Sequence, residues 1–214
     1  MRLLDLFCGA GGASMGYHRA GFEVVGVDHR PQPNYPFEFH QADAMTYPLD
    51  GFDVIHASPP CQQFSRAKHL RDAQGGTASG PDLVDATRGR LVDSGKVYVI
   101  ENVPGAPLHD PLTLCGSSFD LRVRRHRLFE SNVALADLEH HHREQGRPVG
   151  VYHKMNDDIP HGGRTARTLE DGQDAMRIDW MNWKELTQSI PPAYTAWIGS
   201  QLLQHESLKG TSSP

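Results

Sequence analysis

The sequence predicts an α/β domain built on a doubly wound, mostly parallel β-sheet. Short apolar runs typical of strands alternate with helical stretches along the first half of the chain. Strands separated by helices need right-handed crossovers, which give a parallel sheet covered on both faces. The chain has 214 residues, of which 38% are hydrophobic, and this suits one domain with a full core.

The first half of the chain supplies the predicted strands and two helices. The strand-like runs are, in order, RLLDLF, FEVVGVD, FEFHQAD, FDVIHAS and KVYVIENV. A glycine turn after the first run leads into a helix near residues 13–20, and a second helix over 81–93 is closed by Gly95. We expect these elements to form a sheet domain over residues 1–131.

The second half of the chain changes in character. Residues 132–174 are polar, rich in turn formers and without sustained periodicity, which predicts a loop-rich insert. The runs AMRIDWMNWKELTQSI and PPAYTAWIGSQLLQHE then predict two helices over 175–206, divided by Pro191 and Pro192. We expect these helices to pack back on the sheet domain and residues 207–214 to form a disordered tail. The spacing of Trp180, Trp183 and Trp197 suits helix packing, in the core or the wall of a pocket.

Composition narrows the classes of function. No apolar run is long enough to cross a bilayer, and no signal-peptide pattern precedes the first strand, so we expect a cytoplasmic protein. The net charge of -5 counts against a nucleic-acid partner. Locally, however, LRVRRHR and the segment from Arg66 to Arg71 concentrate positive charge. Each cluster is equally consistent with a solvated surface.

The cysteines and histidines do not predict a metal site. Cys8, Cys61 and Cys115 lack CxxC spacing, and their odd number argues against a disulfide framework. We expect Cys8 and Cys115 to be small buried hydrophobes. The run His140, His141 and His142 is better explained as an exposed polar loop than as a metal-binding cluster. No metal is therefore predicted.

A glycine-rich turn in DLFCGAGG follows the first predicted strand. Glycines let the backbone approach a ligand, and the helix N-terminus that follows favours polar or anionic groups. The GAGG spacing departs from the GxGxxG pattern of dinucleotide sites, which argues against NAD. Asp28 and Asp43 end the next two strands, where they can bind a ribose and an adenine amine. Either acid alone is also explained by a turn or a helix cap, but their order favours a nucleoside site.

Four motifs in order, DLFCGAGG, PPCQ, ENV and the Arg-x-Arg of RRHR, resemble those of the DNA cytosine carbon-5 methyltransferases. The chain is similar in particular to the small stand-alone methylases of bacteriophages. The resemblance covers Leu3 to Phe129 well and the closing helices more loosely. It implies a Rossmann-like fold, S-adenosylmethionine as methyl donor and a flipped-out cytosine in double-stranded DNA as acceptor. Residues 132–174 would then be a short target-recognition insert.

The resemblance assigns roles residue by residue. Cys61 would be the nucleophile, Glu101 would face the cytosine, and Arg125 with Arg127 would be the Arg pair near the base. The cofactor would contact Phe7, Cys8, Gly9, Ala10, Gly11, Gly12, Asp28, His29, Asp43, Ala44, Pro60 and Ser200. The sequence departs from the family at Val123, where a glutamine is usual. The family's closing GNS motif also has no clear counterpart in IGSQLL, where Ser200 is the candidate contact.

The motif SPPCQQFS fits the chemistry that this family requires. Carbon 5 of cytosine is too electron-poor to attack a methyl group until a nucleophile adds to carbon 6, and a thiolate suits that addition. The two prolines fix the backbone ahead of Cys61 at the carboxyl edge of the sheet. Glu101 ends the next core strand and can hydrogen-bond the ring nitrogen and amino group. The polar stretch after Cys61 would close over the base and exclude water.

DNA contacts are predicted in two segments. Ser65, Arg66 and Lys68 are candidate phosphate contacts, and HGGRTAR in the insert offers Arg164 and Arg167 as forks for guanine. An ordinary polar turn with phosphate-binding arginines explains that segment as well. So small an insert predicts a recognition site of about two to four base pairs.

Two alternatives stay open at this point. The acidic net charge and the small insert also fit a methyltransferase acting on RNA or free cytosine nucleotides. A catalytically silent cofactor-binding module is the other alternative, against which the presence of both Cys61 and Glu101 speaks. We expect the protein to act as a monomer.

Overall fold

Seven strands form one mixed sheet in the computed structural model, which describes residues 1–60, 83–152, 155 and 164–210. The strands are β1 Arg2–Leu6, β2 Glu23–Asp28, β3 Glu38–Gln41, β4 Val54–Ala57, β5 Val97–Asn102, β6 Leu112–Leu114 and β7 Arg127–Ser131. Their spatial order is β3-β2-β1-β4-β5-β7-β6. The described helices are α1 Gly12–Ala20, α2 Leu83–Asp93, α3 Leu169–Met176, α4 Trp183–Gln188 and α5 Pro192–Gly210, with a 3₁₀ turn at Gly116–Phe119.

The first five strands and β6 run in one direction, and β7 runs in the opposite direction. β1 pairs with β2 and β4, β2 with β3, and β4 with β5, all in parallel register. β7 is antiparallel to both β5 and β6. The start of β7 therefore lies at the same edge of the sheet as the carboxyl ends of β1–β5. The sequence did not predict β6 and β7, but both fit the expectation of a mostly parallel sheet.

Alternate residues of the central strands feed two separate cores. Leu3 and Val54 lie in a cluster with Tyr17 of α1 and Ile198 of α5. Their neighbours in the same strands face the other way and pack with Leu91 of α2. Because both faces of the sheet are buried under helices, the strands are almost continuously apolar. The doubly wound α/β fold predicted from the sequence is confirmed.

Helices α1 and α5 approach closely through glycine. A Cβ atom built on Gly16 would overlap the Thr195 side chain and the Pro192 carbonyl, and it would lie 2.7 Å from the Ala196 nitrogen. Thr195 Oγ1 also donates a 2.8 Å hydrogen bond to the Ala13 carbonyl. The absence of a side chain at Gly16 thus sets the distance between the two helices.

Substituting Gly16→Ala should destabilise the protein by about 1–3 kcal/mol, since overpacking against backbone atoms forces the helices apart. Gly89→Ala in α2 is the matched control, because a Cβ there meets nothing within 4 Å. Alanine at that position should stabilise by about 0.5–1 kcal/mol through its better helix propensity. Urea unfolding of both variants measures the difference, and equal effects would contradict the packing argument.

The predicted helix over 175–190 is wrong as a single element. α3 ends at Met176, because Arg177 adopts a left-handed conformation with φ 55°. α4 begins only after Asn182, whose side chain forms a capping box with Glu185. The final helix continues to Gly210, so residues 207–210 are helical and not part of a disordered tail.

The insert packs on the sheet domain. β8 Val149–Gly150 pairs in parallel with β9 Arg164–Thr165. Val149, Val151 and Ala166 are buried in the same core cluster as α1 and α5. The run 140–142 is exposed only at His141, so its interpretation as an exposed polar loop is wrong for His140 and His142.

Among the described residues, no helix has the length and apolar character needed to cross a membrane.

Candidate active site

The carboxyl ends of the parallel strands gather most of the predicted site residues. The glycine turn follows β1, Asp28 ends β2, Pro60 follows β4, and Glu101 lies near the end of β5. Parallel strands necessarily align these ends at one edge, which is where ligands bind in open α/β sheets. Cys61 was predicted at this edge, and it lies outside the described residues together with the predicted phosphate contacts Ser65, Arg66 and Lys68.

The glycine turn adopts a backbone that few side chains tolerate. Phe7, Gly9 and Gly11 have positive φ angles of 60°, 50° and 84°. The Gly9 amide donates to Asp28 Oδ2 at 3.1 Å, and the Gly11 amide donates to the Cys8 carbonyl at 3.0 Å. A Cβ on Gly9 would meet nothing within 4 Å. The turn therefore leaves open space beside Gly9, directly next to a carboxylate.

Asp28 links the first two strand ends and keeps hydrogen-bonding capacity. Its Oδ1 accepts from the Arg30 amide at 2.9 Å, and its two oxygens together offer more lone pairs than these backbone donors occupy. The residue is 9% exposed, and the exposed His29 has Nδ1 3.3 Å from Asp28 Oδ1. The arrangement can hold a polar ligand group such as a pair of hydroxyls.

Asp43 lies in a turn, as the alternative interpretation of its sequence position predicted. Its Oδ1 accepts from the Met45 amide at 2.9 Å, and its carbonyl accepts from the amides of Thr46 and Tyr47. Asp43 is exposed and Ala44 is buried. A turn role does not exclude a ligand contact, because the carboxylate has a second oxygen.

The closing segment contributes different residues to this edge than predicted. Ser200 Oγ donates to the Trp197 carbonyl of its own helix, and its neighbour Gly199 packs on Ala20. Ala20 is eight residues along α1 from Gly12, about 12 Å from the glycine turn. Ser200 is therefore not part of this edge. Ser189, which the sequence did not indicate, contacts Gly12. Trp180, expected in the core or in the wall of a pocket, donates from Nε1 to the Ala10 carbonyl at 2.9 Å.

Glu101 and Arg127 form a buried ion pair. Arg127 Nε lies 3.0 Å from Glu101 Oε1, with side chains 12% and 10% exposed. Oε1 is buried and receives no well-directed hydrogen bond from the described residues. Burial raises the pKa of Glu101, and Arg127 opposes that shift. The site thus presents a carboxyl group that is electrostatically compensated and still able to bind a donor.

A series of buried, hydrogen-bonded polar side chains leads to Glu101. Tyr17 Oη lies 3.0 Å from His56 Nδ1, and His56 Nε2 lies 3.0 Å from Ser58 Oγ. The Ser58 hydroxyl in turn hydrogen-bonds Glu101. His56 is fully buried, which lowers its pKa to about 3 and keeps the ring neutral. Sequence analysis missed His56 and Ser58, although both are polar residues within or directly after an apolar strand.

The neutral His56 should make stability fall in acid. In the unfolded chain His56 has its ordinary pKa of 6.5 and binds a proton below that pH. In the folded protein the same ring stays neutral down to about pH 3. Lowering the pH from 6.5 to 5 should therefore cost about 2 kcal/mol through this group alone. His56→Gln should lack that component, whereas His40→Gln, at an exposed position, should keep it. Urea unfolding at both pH values decides this, and an identical pH dependence in all three proteins would disprove it.

Arg125 is buried away from solvent and holds the insert to the closing segment. It is 2% exposed, and its guanidinium donates to the carbonyls of Val151 at 3.0 Å and Thr187 at 2.6 Å. Burial lowers its pKa to about 10. Its Nε has no partner among the described residues. Arg127, but not Arg125, is thus the arginine in direct contact with Glu101.

The two predicted base-reading arginines differ in their surroundings. Arg164 pairs with Asp171, which also accepts from Arg122 at 2.7 Å. The hydrogen bonds from Arg164 lower the pKa of Asp171. Arg167 is exposed and uses its backbone amide on Asp171 at 2.9 Å. Arg167 therefore has the freer guanidinium of the two.

These features define a class of protein with a doubly wound sheet, a glycine turn beside an acidic strand end, and a buried acid at the same edge. A family model, the C-5 cytosine-specific DNA methylase, matches residues 1–113. The chain belongs to this family.

Curated relatives match over only part of their length. Type II methyltransferase M.HgiDI from Herpetosiphon aurantiacus is 37% identical over 81 residues, 31% of this chain and 26% of that protein. M.HgiGI from the same organism is 38% identical over 84 residues, 31% of this chain and 64% of that protein. The matches thus span less than two thirds of these relatives.

Solved structures share the fold over nearly the whole chain. A prophage-encoded E. coli protein, assigned as a DNA modification methyltransferase, gives a TM-score of 0.66 at 13% identity, covering 97% of this chain and 99% of that one. The S. pombe Dnmt2 methyltransferase gives a TM-score of 0.60 at 13% identity, covering 96% and 99%. The chain therefore shares its fold, with the seven-stranded mixed sheet, with these two methyltransferase structures.

Proposed function

We propose that this protein transfers a methyl group from S-adenosylmethionine to carbon 5 of a flipped-out cytosine in DNA. The observation that carries the proposal is the buried Glu101–Arg127 pair beside Pro59 and Pro60, which lead directly to Cys61. Family membership supports the same chemistry. A methyltransferase of this kind needs a nucleophile, an acid and a cofactor site at one edge.

The nucleophilic step is assigned to Cys61. Asn102 Nδ2 donates to the Pro59 carbonyl at 3.1 Å, which ties the segment before Cys61 to the end of β5. The thiolate would form a bond to carbon 6 of the base, making carbon 5 electron-rich. Carbon 5 would then take the methyl group as the sulfur–methyl bond of S-adenosylmethionine breaks, leaving S-adenosylhomocysteine. Loss of the carbon 5 proton to solvent water would push out the thiolate as the carbon–sulfur bond breaks.

Glu101 would stabilise the adduct. A carboxyl group facing the Watson–Crick edge can hydrogen-bond ring nitrogen 3 and the amino group, and its raised pKa favours the protonated form that donates to nitrogen 3. Arg127 compensates the charge when the carboxyl is ionised. Ser58 and His56 would hold its orientation from the opposite side.

The cofactor site fits the glycine turn. The open space beside Gly9 and the free lone pairs of Asp28 suit an adenosine with a ribose, and Trp180 fixes the turn through the Ala10 carbonyl. When bound, S-adenosylmethionine supplies the electrophilic methyl group. We assign Phe7 to Gly12, Asp28, His29, Asp43, Ala44 and Pro60 to this pocket.

Removing the charge at Asp28 should weaken cofactor binding. Losing a charged acceptor costs roughly 1.5–3 kcal/mol, so Asp28→Asn should bind S-adenosylmethionine about tenfold or more weakly. Calorimetry on the purified variant measures this, with Asp50→Asn at an exposed position as the control. Equal affinity in Asp28→Asn and wild type would remove Asp28 from the pocket.

DNA recognition is proposed to depend on few base contacts. Arg167 is exposed in the insert and can fork onto a guanine, whereas Arg164 would first have to leave Asp171. Ser65, Arg66 and Lys68 would contact phosphates. We therefore propose a site of about two to four base pairs including the target cytosine.

The function is tested by expression in methylase-free cells and bisulfite mapping of methylcytosine. Methylation at a short consensus supports the proposal, and five or more specified positions would refute the short site. Methyl transfer from labelled cofactor to RNA or free nucleotides, with none to duplex DNA, would favour the alternative substrate class. Binding of cofactor without any transfer would indicate a silent module.

A further inference from the structure

Four side chains of types that can ligate a metal come together from three segments beside β6 and β7. Cys115 follows β6, His126 immediately precedes β7, and His140 and His142 belong to the insert. One ligand atom from each lies within 4.8 Å of the other three. Ligands of a tetrahedral zinc ion are separated by about 3.3–3.7 Å, as bond lengths of 2.0–2.3 Å require. Small side-chain movements therefore close the site.

The contacts around the four residues resemble those that orient ligands in metal sites. Cys115 Sγ lies 3.1 Å from His142 Nε2, and the Ser117 hydroxyl donates to Cys115 Sγ at 3.2 Å. His140 Nε2 lies 3.2 Å from the Thr113 carbonyl. A ring nitrogen that donates to a carbonyl leaves the other one with its lone pair. Such outer contacts fix tautomer and orientation.

The three histidine rings of the cluster lie close to one another. Ring centroids are 5.3 Å apart for His126 and His140, 5.1 Å for His126 and His142, and 5.5 Å for His140 and His142. No acid belongs to the cluster within the described part of the chain.

The middle histidine of the run provides a contrast. His141 is 49% exposed in its side chain, and its Nδ1 lies 3.2 Å from Glu144 Oε2. His140 and His142 are partly buried on the cluster side. Three adjacent histidines of identical chemistry thus divide into two inward residues and one outward residue.

We propose that Cys115, His126, His140 and His142 bind one Zn²⁺ in a closed structural site. One thiolate with three imidazoles suits zinc, whereas magnesium and calcium prefer oxygen ligands. Four protein ligands complete the tetrahedral coordination of zinc, so the site would have no open position for a substrate. The ion would cross-link the insert to the sheet.

The position of the site explains what the ion would stabilise. In the part of the insert that the structure describes, β8 and β9 contribute two residue pairs of sheet structure. His126 directly precedes Arg127, the partner of Glu101. Zinc binding would therefore fix the start of β7 and hold the insert beside the active site. The inference depends on geometry alone and stands whether or not the protein methylates DNA.

Metal content tests the proposal directly. Protein without an affinity tag, expressed with added zinc and dialysed, should contain about one zinc per chain by plasma mass spectrometry. His141→Gln is the matched control and should keep that stoichiometry. His126→Gln and His142→Gln should each lose most of the zinc. Wild-type protein without zinc, or equal zinc in all variants, would overturn the site.

The melting temperature and the cobalt spectrum test the site in wild-type protein, independently of whether the variants fold. Zinc removed from wild-type protein by a chelator should lower the melting temperature, and added zinc should restore it. Cobalt in place of zinc should give a thiolate charge-transfer absorption in wild type and in His141→Gln, but not in Cys115→Ser. A melting temperature that is unaffected by chelator, or cobalt spectra without a thiolate band, would contradict the proposal.

Discussion

Replacing Cys61 with alanine should abolish methyl transfer and the covalent complex with DNA that contains 5-fluorocytosine. The proposed reaction needs a sulfur bond to carbon 6, and fluorine at carbon 5 cannot leave as the proton does. Wild-type enzyme should therefore become trapped irreversibly on such DNA. The trapped complex is measured as a band that survives denaturing electrophoresis.

The control separates the three cysteines. Cys8 and Cys115 are buried, and burial raises the pKa of Cys8 well above its ordinary value, so Cys8 is a poor nucleophile. Cys8→Ala should keep the covalent complex even if it affects the cofactor site. If Cys61→Ala still forms the adduct, or still methylates, the nucleophile is wrongly assigned.

Replacing Glu101 with glutamine should lower the rate of methyl transfer by about 10²–10⁴-fold, the usual contribution of a positioned acid or base. Glutamine keeps the size of the side chain but can neither carry the negative charge nor donate a carboxyl proton. S-adenosylmethionine affinity should change little, because Glu101 is not among the proposed cofactor residues. Single-turnover transfer of labelled methyl groups and calorimetry measure the two quantities.

Stability has to be followed in the same variant. Removing one member of a buried ion pair leaves the other charge unpaired, here that of Arg127, which is strongly destabilising in proteins. Glu139→Gln, at an exposed position of the insert, is the matched control and should keep full activity. A folded Glu101→Gln enzyme with a rate within tenfold of wild type would show that this carboxyl group does not act in catalysis.

The polar chain beneath Glu101 gives that residue a fixed environment. Tyr17, His56 and Ser58 come from α1, from β4 and from the turn after it, and each is hydrogen-bonded to the next. Buried networks of this kind are rigid only when their members are satisfied. The loss of one member should therefore change the environment of the carboxyl group, even though the sequence predicted no role for any of the three.

The sequence by itself determined the fold class and the order of the site segments. Alternation of apolar runs and helices predicts a parallel sheet, and strand ends in such a sheet share one edge by geometry. Asp28 and Glu101 could therefore be assigned to the same edge without coordinates. The order of the motifs added Cys61 as the proposed nucleophile, behind two prolines that restrict the backbone.

Contacts between distant segments were decided only by the tertiary structure. The choice of Arg127 over Arg125 as the partner of Glu101 depends on the antiparallel register of β7, which no local pattern encodes. Ser200 lies away from the proposed cofactor site because α5 runs along α1, away from the glycine turn. The helix expected over 175–190 is interrupted because the left-handed Arg177 and the capping box at Asn182 outweigh its periodicity.

The histidine cluster shows the same limit most clearly. From the sequence, the three adjacent histidines lack a spaced partner and look like a polar loop. Folding brings Cys115 and His126 from two other segments to His140 and His142 and leaves His141 outside. Sequence encodes which side chains are available, but the crossover and strand order decide which of them meet, because ligand atoms must converge within a few ångströms in space.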